Sequence, residues 1–273
     1  MNDDGKNYVL GKGRLFFDMF TAGTKVGVGE RYLGNTPELS QSLAQDSLDH
    51  IDADQGLNVK DESITIKSDL KLTFKTDNIN AENIAMFFGG DLSKLTVASA
   101  LAVVNPDLTV KRGLSYQLGA DDTTPHGTRK ITNVLISKVT PGALPADPPT
   151  VTPLATLAGN VELDLERARV YVEIDAPNIA DGDVLRVTYD QEAYTNEIVI
   201  AKGQQVGGAL RFLANNPHGK NRDYFWPYAK ITSNGDYALK GDSWQEMSFS
   251  VEVLKKDSAT ERAYIDSVAV TAP

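Results

Sequence analysis

Three histidines, His50, His126 and His218, are the first residues to weigh for chemistry, because imidazole titrates near neutral pH and ligates metals. They fall in unrelated stretches with no short or helical spacing between them. A zinc site needs at least three clustered ligands, so these read as exposed loop histidines. Asp52-x-Asp54-x-Gly56 is superficially similar to a calcium loop. Its glycine comes one position early, and Ser63 stands where a bidentate glutamate is required. It reads as solvated loop charge. Gly23 to Gly29 lacks the spacing and the terminal Lys-Ser/Thr pair of a phosphate loop. There is no G-x-S-x-G elbow, and a chain without cysteine has no thiolate nucleophile. Carboxylates are plentiful, but nothing singles out an acid/base pair. Tyr224-Phe225-Trp226-Pro227-Tyr228 has the composition of a stacking platform for sugars or bases. Strand packing explains it more simply. No catalytic, cofactor-binding or metal residue is assigned, and an enzyme is not expected.

The totals narrow the classes further. At 273 residues, 41% hydrophobic and 23% charged, the chain can bury a substantial core. Its formal net charge of −10 opposes a duplex-gripping role. The absence of cysteine excludes disulfides and permits a reducing compartment. No apolar run approaches the roughly 20 residues that span a bilayer, and the acidic, polar start MNDDGKNYVL is unlike a secretory signal.

The elements that organise the chain lie between Asp61 and Gly90. Ile64, Ile66, Leu70, Leu72 and Phe74 share one parity, broken only by Ser68, while Ser63, Thr65, Lys67, Asp69, Lys71, Thr73 and Lys75 share the other. That period of two predicts a long strand with one buried and one wet face. The period then changes. Asn80 is a helix N-cap, Glu82 sits in the first turn, and Ile79 and Ile84 occupy the hydrophobic-staple positions. Phe87 and Phe88 follow, and Gly89-Gly90 supplies a left-handed C-cap. Trp244 to Leu254 repeats the alternation, with Met247, Phe249, Val251 and Val253 opposite Glu246, Ser248, Ser250 and Glu252. The two strands are expected to share a sheet under the short helix.

The rest reads as further strands. Residues 1–13 are expected to form a mobile arm, followed by an aromatic strand over Leu15–Phe20. Arg31 to Pro37 turns into a polar strand running from Glu38 to about Leu48, and Asp49 to Asn58 forms the tip of a long hairpin. Prolines 141, 145, 148, 149 and 153 exclude helix or central sheet and mark a loop. Strands are expected over Lys111–Gly119, Lys130–Val139, Val161–Ile174, Asp183–Tyr189 and Ala209–Leu213, with an edge strand near Tyr264.

In this order, several stretches carry a resemblance. They are Gly29-Glu30-Arg31-Tyr32-Leu33-Gly34-Asn35-Thr36-Pro37 with its polar strand, Ser63 to Phe74, Thr76-Asp77-Asn78-Ile79, and the Glu82 to Gly89 helix. Gly113 to Gly119, Val161 to Arg167, Gly208 to Phe212, Asn216-Pro217, Asn221 to Tyr224 and Leu239 to Gln245 continue it. Together they resemble the major tail tube proteins of long-tailed, siphovirus-like bacteriophages. The resemblance runs over most of the chain, with residues 141–153 similar to a local insertion.

The resemblance implies a mainly β fold: a tail-tube β-sandwich or partly open barrel with one short flanking helix, a long hairpin loop and an N-terminal arm. It implies a single domain over 1–273, elaborated over about 91–195. It also implies a structural virion protein of the tail, assembled in the host cytoplasm. Hexameric rings would stack into a hollow tube, DNA would pass without specific binding, and no membrane or cofactor would be involved. Partners would be other copies, a tape measure protein, a tail terminator and distal tail or baseplate proteins. Under it, Lys67, Asp69, Lys71, Glu246, Ser248, Ser250 and Glu252 are candidate lumen-facing residues. Asp49, His50, Ile51, Asp52, Asp54 and Leu57 are candidate contacts between rings. Ile64, Ile66, Leu70, Leu72, Phe74, Ile84, Phe87, Phe88, Met247, Phe249 and Val251 are assigned to helix and core packing. The alternatives are a tube subunit of a contractile tail or type VI-like secretion system, and a carbohydrate-binding β-sandwich using Tyr224, Trp226 and Tyr228.

Overall fold

A computed structural model describes residues 7–52, 54, 56, 58–142 and 147–267. The chain is mainly β with one short helix, and it divides into two compact units, 1–93 with 198–273, and 94–197. In chain order the strands are β1 (Gly13–Phe20), β2 (Gly27–Tyr32), β3 (Glu38–Asp52) and β4 (Val59–Thr76), followed by helix α1 (Ala81–Phe87). Next come β5 (Asp91–Val97), β6 (Ala100–Val104), β7 (Leu108–Thr109), β8 (Ser115–Gln117), β9 (Ile131–Thr140), β10 (Thr150–Pro153), β11 (Val161–Asp164), β12 (Arg169–Val172) and β13 (Val184–Gln191). β14 (Tyr194–Ile200) pairs with β5. β15 (Val206–Ala214), β16 (Arg222–Ser233), β17 (Met247–Val253) and β18 (Tyr264–Ser267) complete the chain.

The first unit is one open sheet in the order β2-β1-β15-β16-β17-β4-β3, with β18 as an edge strand on β16. β4 and β17 are antiparallel neighbours, with Leu70 opposite Val253, Leu72 opposite Val251 and Phe74 opposite Phe249. Their shared apolar parity is the floor of the core. The Phe74 and Phe249 rings stack at 4.8 Å, and Phe87 of α1 meets Phe249 edge-on at 5.7 Å. Asn80 caps the helix by accepting from the Asn83 amide. At the other end the Gly90 amide donates to Ala85 and the Gly89 amide to Met86, with Gly89 at φ +53. That is the paired bonding of a Schellman end, which needs a residue without Cβ strain.

The Arg31–Pro37 stretch is what fastens α1 to the sheet. Asn83 is fully buried; its amide donates to the Leu33 and Asn78 carbonyls at 2.9 and 2.8 Å and accepts from Arg31 at 2.8 Å. The buried Thr76 hydroxyl donates towards the Leu33 and Asn35 carbonyls. Burial pushes the Arg31 guanidinium's pKa down.

Several expectations are corrected. Ile64 and Ile66 share the sequence parity of Leu70 and Leu72 but are 61% and 65% exposed, because β4 outruns the sheet that covers it and its register with β3 shifts between Lys67 and Thr65. Every β4 residue from Val59 to Lys67 is exposed, and burial begins only at Leu70. Ser68, the break in the alternation, receives the Arg262 guanidinium on its hydroxyl and carbonyl at that boundary. Phe88 is the C-cap rather than core and is 40% exposed. Asp49 to Asp52 extend β3 instead of forming a loop, so the tip is shorter than Asp49–Asn58. The arm is tied down from Leu10, whose amide donates to the His218 carbonyl; residues 1–6 lie outside the described residues. β17 begins at Met247, leaving Trp244 93% exposed before it. Pro227 lies inside β16, an unusual place for proline in a sheet. It sits at a register shift with β15 and in the gap between the β18-paired and β17-paired segments, where no ladder amide is needed.

The second unit packs the sheet β10-β9-β13-β6, with β7 on β13, against the sheet β11-β12-β8. Ile136, Leu185 and Val187 from the first and Val161, Val170 and Val172 from the second share its core. The expected Val161–Ile174 strand is a hairpin turning at Leu165–Ala168, where Ala168 has φ +50. The proline-rich loop joins β9 to the edge strand β10, which ends in Pro153. Residues 143–146, including Pro145, lie outside the described residues.

Candidate functional site

Two surfaces of the first unit stand out. The first is the polar face of β4 and β17. The register sets Lys71 opposite Glu252, Thr73 opposite Ser250 and Lys75 opposite Ser248. β16 continues the face, with Lys230 opposite Glu252 and Thr232 opposite Ser250, and β3 extends it on the other side, with Ser40 bonded to Thr73 at 2.7 Å. Lys67, Asp69, Lys71, Glu246, Ser248, Ser250 and Glu252 therefore do share one face, as strand parity requires.

Two of its four lysines are paired in place, while Lys71 and Lys230 make no ion pair among the described residues and face Glu252 across the strands. Lys67 lies 2.7 Å from Asp69, and Lys75 lies 3.1 Å from Glu38 and 3.7 Å from Glu246. The hydrogen bond from Lys67 holds the Asp69 carboxyl below the usual carboxylate range, and the bond to Asp69 raises Lys67. Glu38 raises Lys75 in the same way. The face is wet and hydroxyl-rich, and it mixes paired and unpaired lysines with carboxylates.

The second surface is the β3–β4 hairpin. Beyond Leu70, no third strand and no covering layer lie against it among the described residues. From Lys67 to Val59 it projects about 26 Å at roughly 3.3 Å per residue. An isolated two-stranded ribbon is marginal in water at best. This one also exposes Leu43, Leu48, Ile51, Val59, Ile64 and Ile66, each more than half accessible. Leu48 and Ile64 are direct cross-strand partners. Toward the tip, Asp49 is held by Lys60 at 2.7 Å and by the Ser63 hydroxyl at 2.7 Å. Those bonds lower its pKa, Lys60 contributing most. His50 pairs with Asp61 at 2.6 Å, and Asp52 accepts from the Asp54 amide at 2.9 Å. Of the six candidate ring-contact residues, Asp49, His50, Ile51, Asp52 and Asp54 gather at this end; Leu57 lies outside the described residues.

Other chemistry finds little geometry. Among the described residues no group of three His, Asp or Glu side chains is arranged to hold a metal, and Asp52 and Asp54 are joined only through a local turn. Trp226, the centre of the aromatic run, is 2% exposed and stacks on Tyr224 at 5.8 Å, so it offers no open platform.

One feature escaped the sequence reading. A cleft of about 580 Å³ opens beside the root of the hairpin, with half-buried Leu39, Phe212 and Tyr224 as its apolar lining above the buried Leu72 and Trp226, and with Lys12, Lys220 and Arg222 exposed around it. Its only sequence signal was the placement of Lys220 and Arg222 just before the aromatic run.

Among known families, a model described as "Protein of unknown function UCP028589" matches residues 8–119. The matched stretch contains the whole hairpin and α1 and ends beyond β8. Comparison with curated proteins gives no match.

Proposed function

We propose that this chain is a structural subunit that forms hexameric rings, which stack into the hollow tube of a non-contractile phage tail and pass DNA to the host. The observation that carries this reading is the unsupported hairpin. A ribbon of about 26 Å with exposed isoleucines, leucines and a valine is stable and soluble only when another surface covers it. The open sheet adds two bare edges, β2 and β3, a liability that a ring removes by pairing neighbours. The polar β4–β17 face supplies a suitable channel wall. Each lysine on it has a carboxylate as its partner (Lys67, Lys75) or cross-strand neighbour (Lys71, Lys230 beside Glu252), which limits the release of phosphate counterions and lets DNA slide past. The tape measure, terminator and distal tail proteins belong to the same reading as length-setting and end-capping partners.

Electron microscopy of the purified protein at rising concentration tests the proposal. Hollow rings or tubes with an open channel are the expected result. A uniform monomer at every concentration, with the hairpin still ordered, would contradict it.

A further inference from the structure

The cleft at the hairpin root is unusual for this chain. In a protein of net charge −10, its lining contains Lys12, Lys220 and Arg222 and no Asp or Glu. Among the described residues, none of those three cations makes an ion pair or a side-chain hydrogen bond. The floor is apolar, and the Trp226 indole N–H is buried without an acceptor among the described residues. This is a site for something anionic with apolar side chains.

The far end of the hairpin has that composition. Asp52, Asp54 and Glu62 carry no ion pair among the described residues, and Ile51 and Val59 stand beside them, each about half exposed. Its own hairpin cannot fill the cleft. Gln41 lines the cleft and Asp52 ends the same continuous strand, so roughly 36 Å of paired ladder separates the two at about 3.3 Å per residue. The occupant must come from another molecule.

We infer that the acidic end of the β3–β4 hairpin of one copy docks into the Lys12/Lys220/Arg222 cleft of the next. The inference rests on the stacking proposed above and names the two surfaces that carry it. Tip and cleft are different patches on one chain, so the contact is heterologous and leaves a free tip and a free cleft at the two ends. Repeated, it builds an open filament rather than a closed dimer. Complementary charge sets the register and the encounter rate, and the apolar pairs hold the contact.

The cysteine-free sequence makes a clean cross-linking test. Val59→Cys at the tip and Gln41→Cys in the cleft leave every charge in place. Oxidation of the double variant is expected to give a ladder of covalent multimers on non-reducing gels. An equimolar mixture of the two single variants is expected to give a mixed dimer joining one chain of each. Lys220→Glu with Arg222→Glu is expected to raise the concentration needed for half-assembly at least tenfold, and Asp52→Lys with Asp54→Lys in the same chain to restore it. Rings or tubes by microscopy without cross-linking would overturn this contact while leaving the tube reading intact. A chain that neither assembles nor cross-links at high concentration would overturn both.

Discussion

Substitutions at two points along β4 separate folding from assembly. Leu72 is 1% exposed, and Leu72→Ala is expected to cost about 2–5 kcal/mol of folding stability, the range for opening a cavity in a packed core. Ile64 and Ile66 have the same parity in the same strand but are 61% and 65% exposed. Ile64→Ser with Ile66→Ser is expected to leave the isolated chain within about 0.5 kcal/mol per site. Assembly should respond differently. Full burial of an isoleucine is worth about 1.5–3 kcal/mol, so the surface each still exposes corresponds to about 1–2 kcal/mol when a neighbour covers it. At about 1.4 kcal/mol per tenfold, the double variant should raise the half-assembly concentration roughly 30- to 700-fold. Urea unfolding followed by tryptophan fluorescence reads the first quantity, and sedimentation velocity reads the second. If the double isoleucine variant unfolds as easily as Leu72→Ala, the hairpin belongs to the core. If it assembles as the parent does, the hairpin is not an interface.

Asn83→Ala leaves the Leu33 and Asn78 carbonyls and an Arg31 donor without their partner, at about 1–3 kcal/mol for each group that stays unmet; a loss below 1 kcal/mol in urea unfolding would show that water replaces the side chain. Asp107 accepts both nitrogens of the Arg186 fork at 2.8 Å, which holds its pKa below the usual carboxylate value. A depressed carboxylate stabilises the fold fully above its unfolded pKa of about 3.9 and loses that contribution as pH falls through the folded value. Asp107→Asn should therefore lower the melting temperature at pH 7 and converge with the parent in acid, and parallel curves across pH would refute this. Glu246→Lys with Glu252→Lys removes the carboxylates beside Lys75, Lys71 and Lys230 and adds two cations to the polar face; on the tube reading, single-virion ejection assays should show slowed DNA release, and unchanged kinetics would remove the charge argument for a channel wall.

Much of the first unit was legible because its signals are local. The alternation of β4 and β17, the Asn80 cap and the Gly89-Gly90 end each follow from one or two turns of chain, and the structure carries all of them. What parity could not reveal is where the covering layer stops. Ile64 and Leu72 are indistinguishable by period, yet one is in water and the other in the core, because burial depends on how far α1 and the neighbouring strands extend. The position of Pro227 inside β16 was illegible for a related reason. Its tolerance depends on a gap between β17 and β18, two strands distant in sequence. The Lys12/Lys220/Arg222 cleft joins chain positions about two hundred residues apart, and no spacing rule brings them together.

The most direct measurement is a cryo-electron microscopy reconstruction of the assembled protein, resolved to strand separation. The account predicts a hollow sixfold ring in which Ser248, Ser250 and Glu252 line the channel and each hairpin end lies against Lys220 and Arg222 of the adjacent ring. A reconstruction with that face turned outward, or with the hairpins free in solvent, would contradict it.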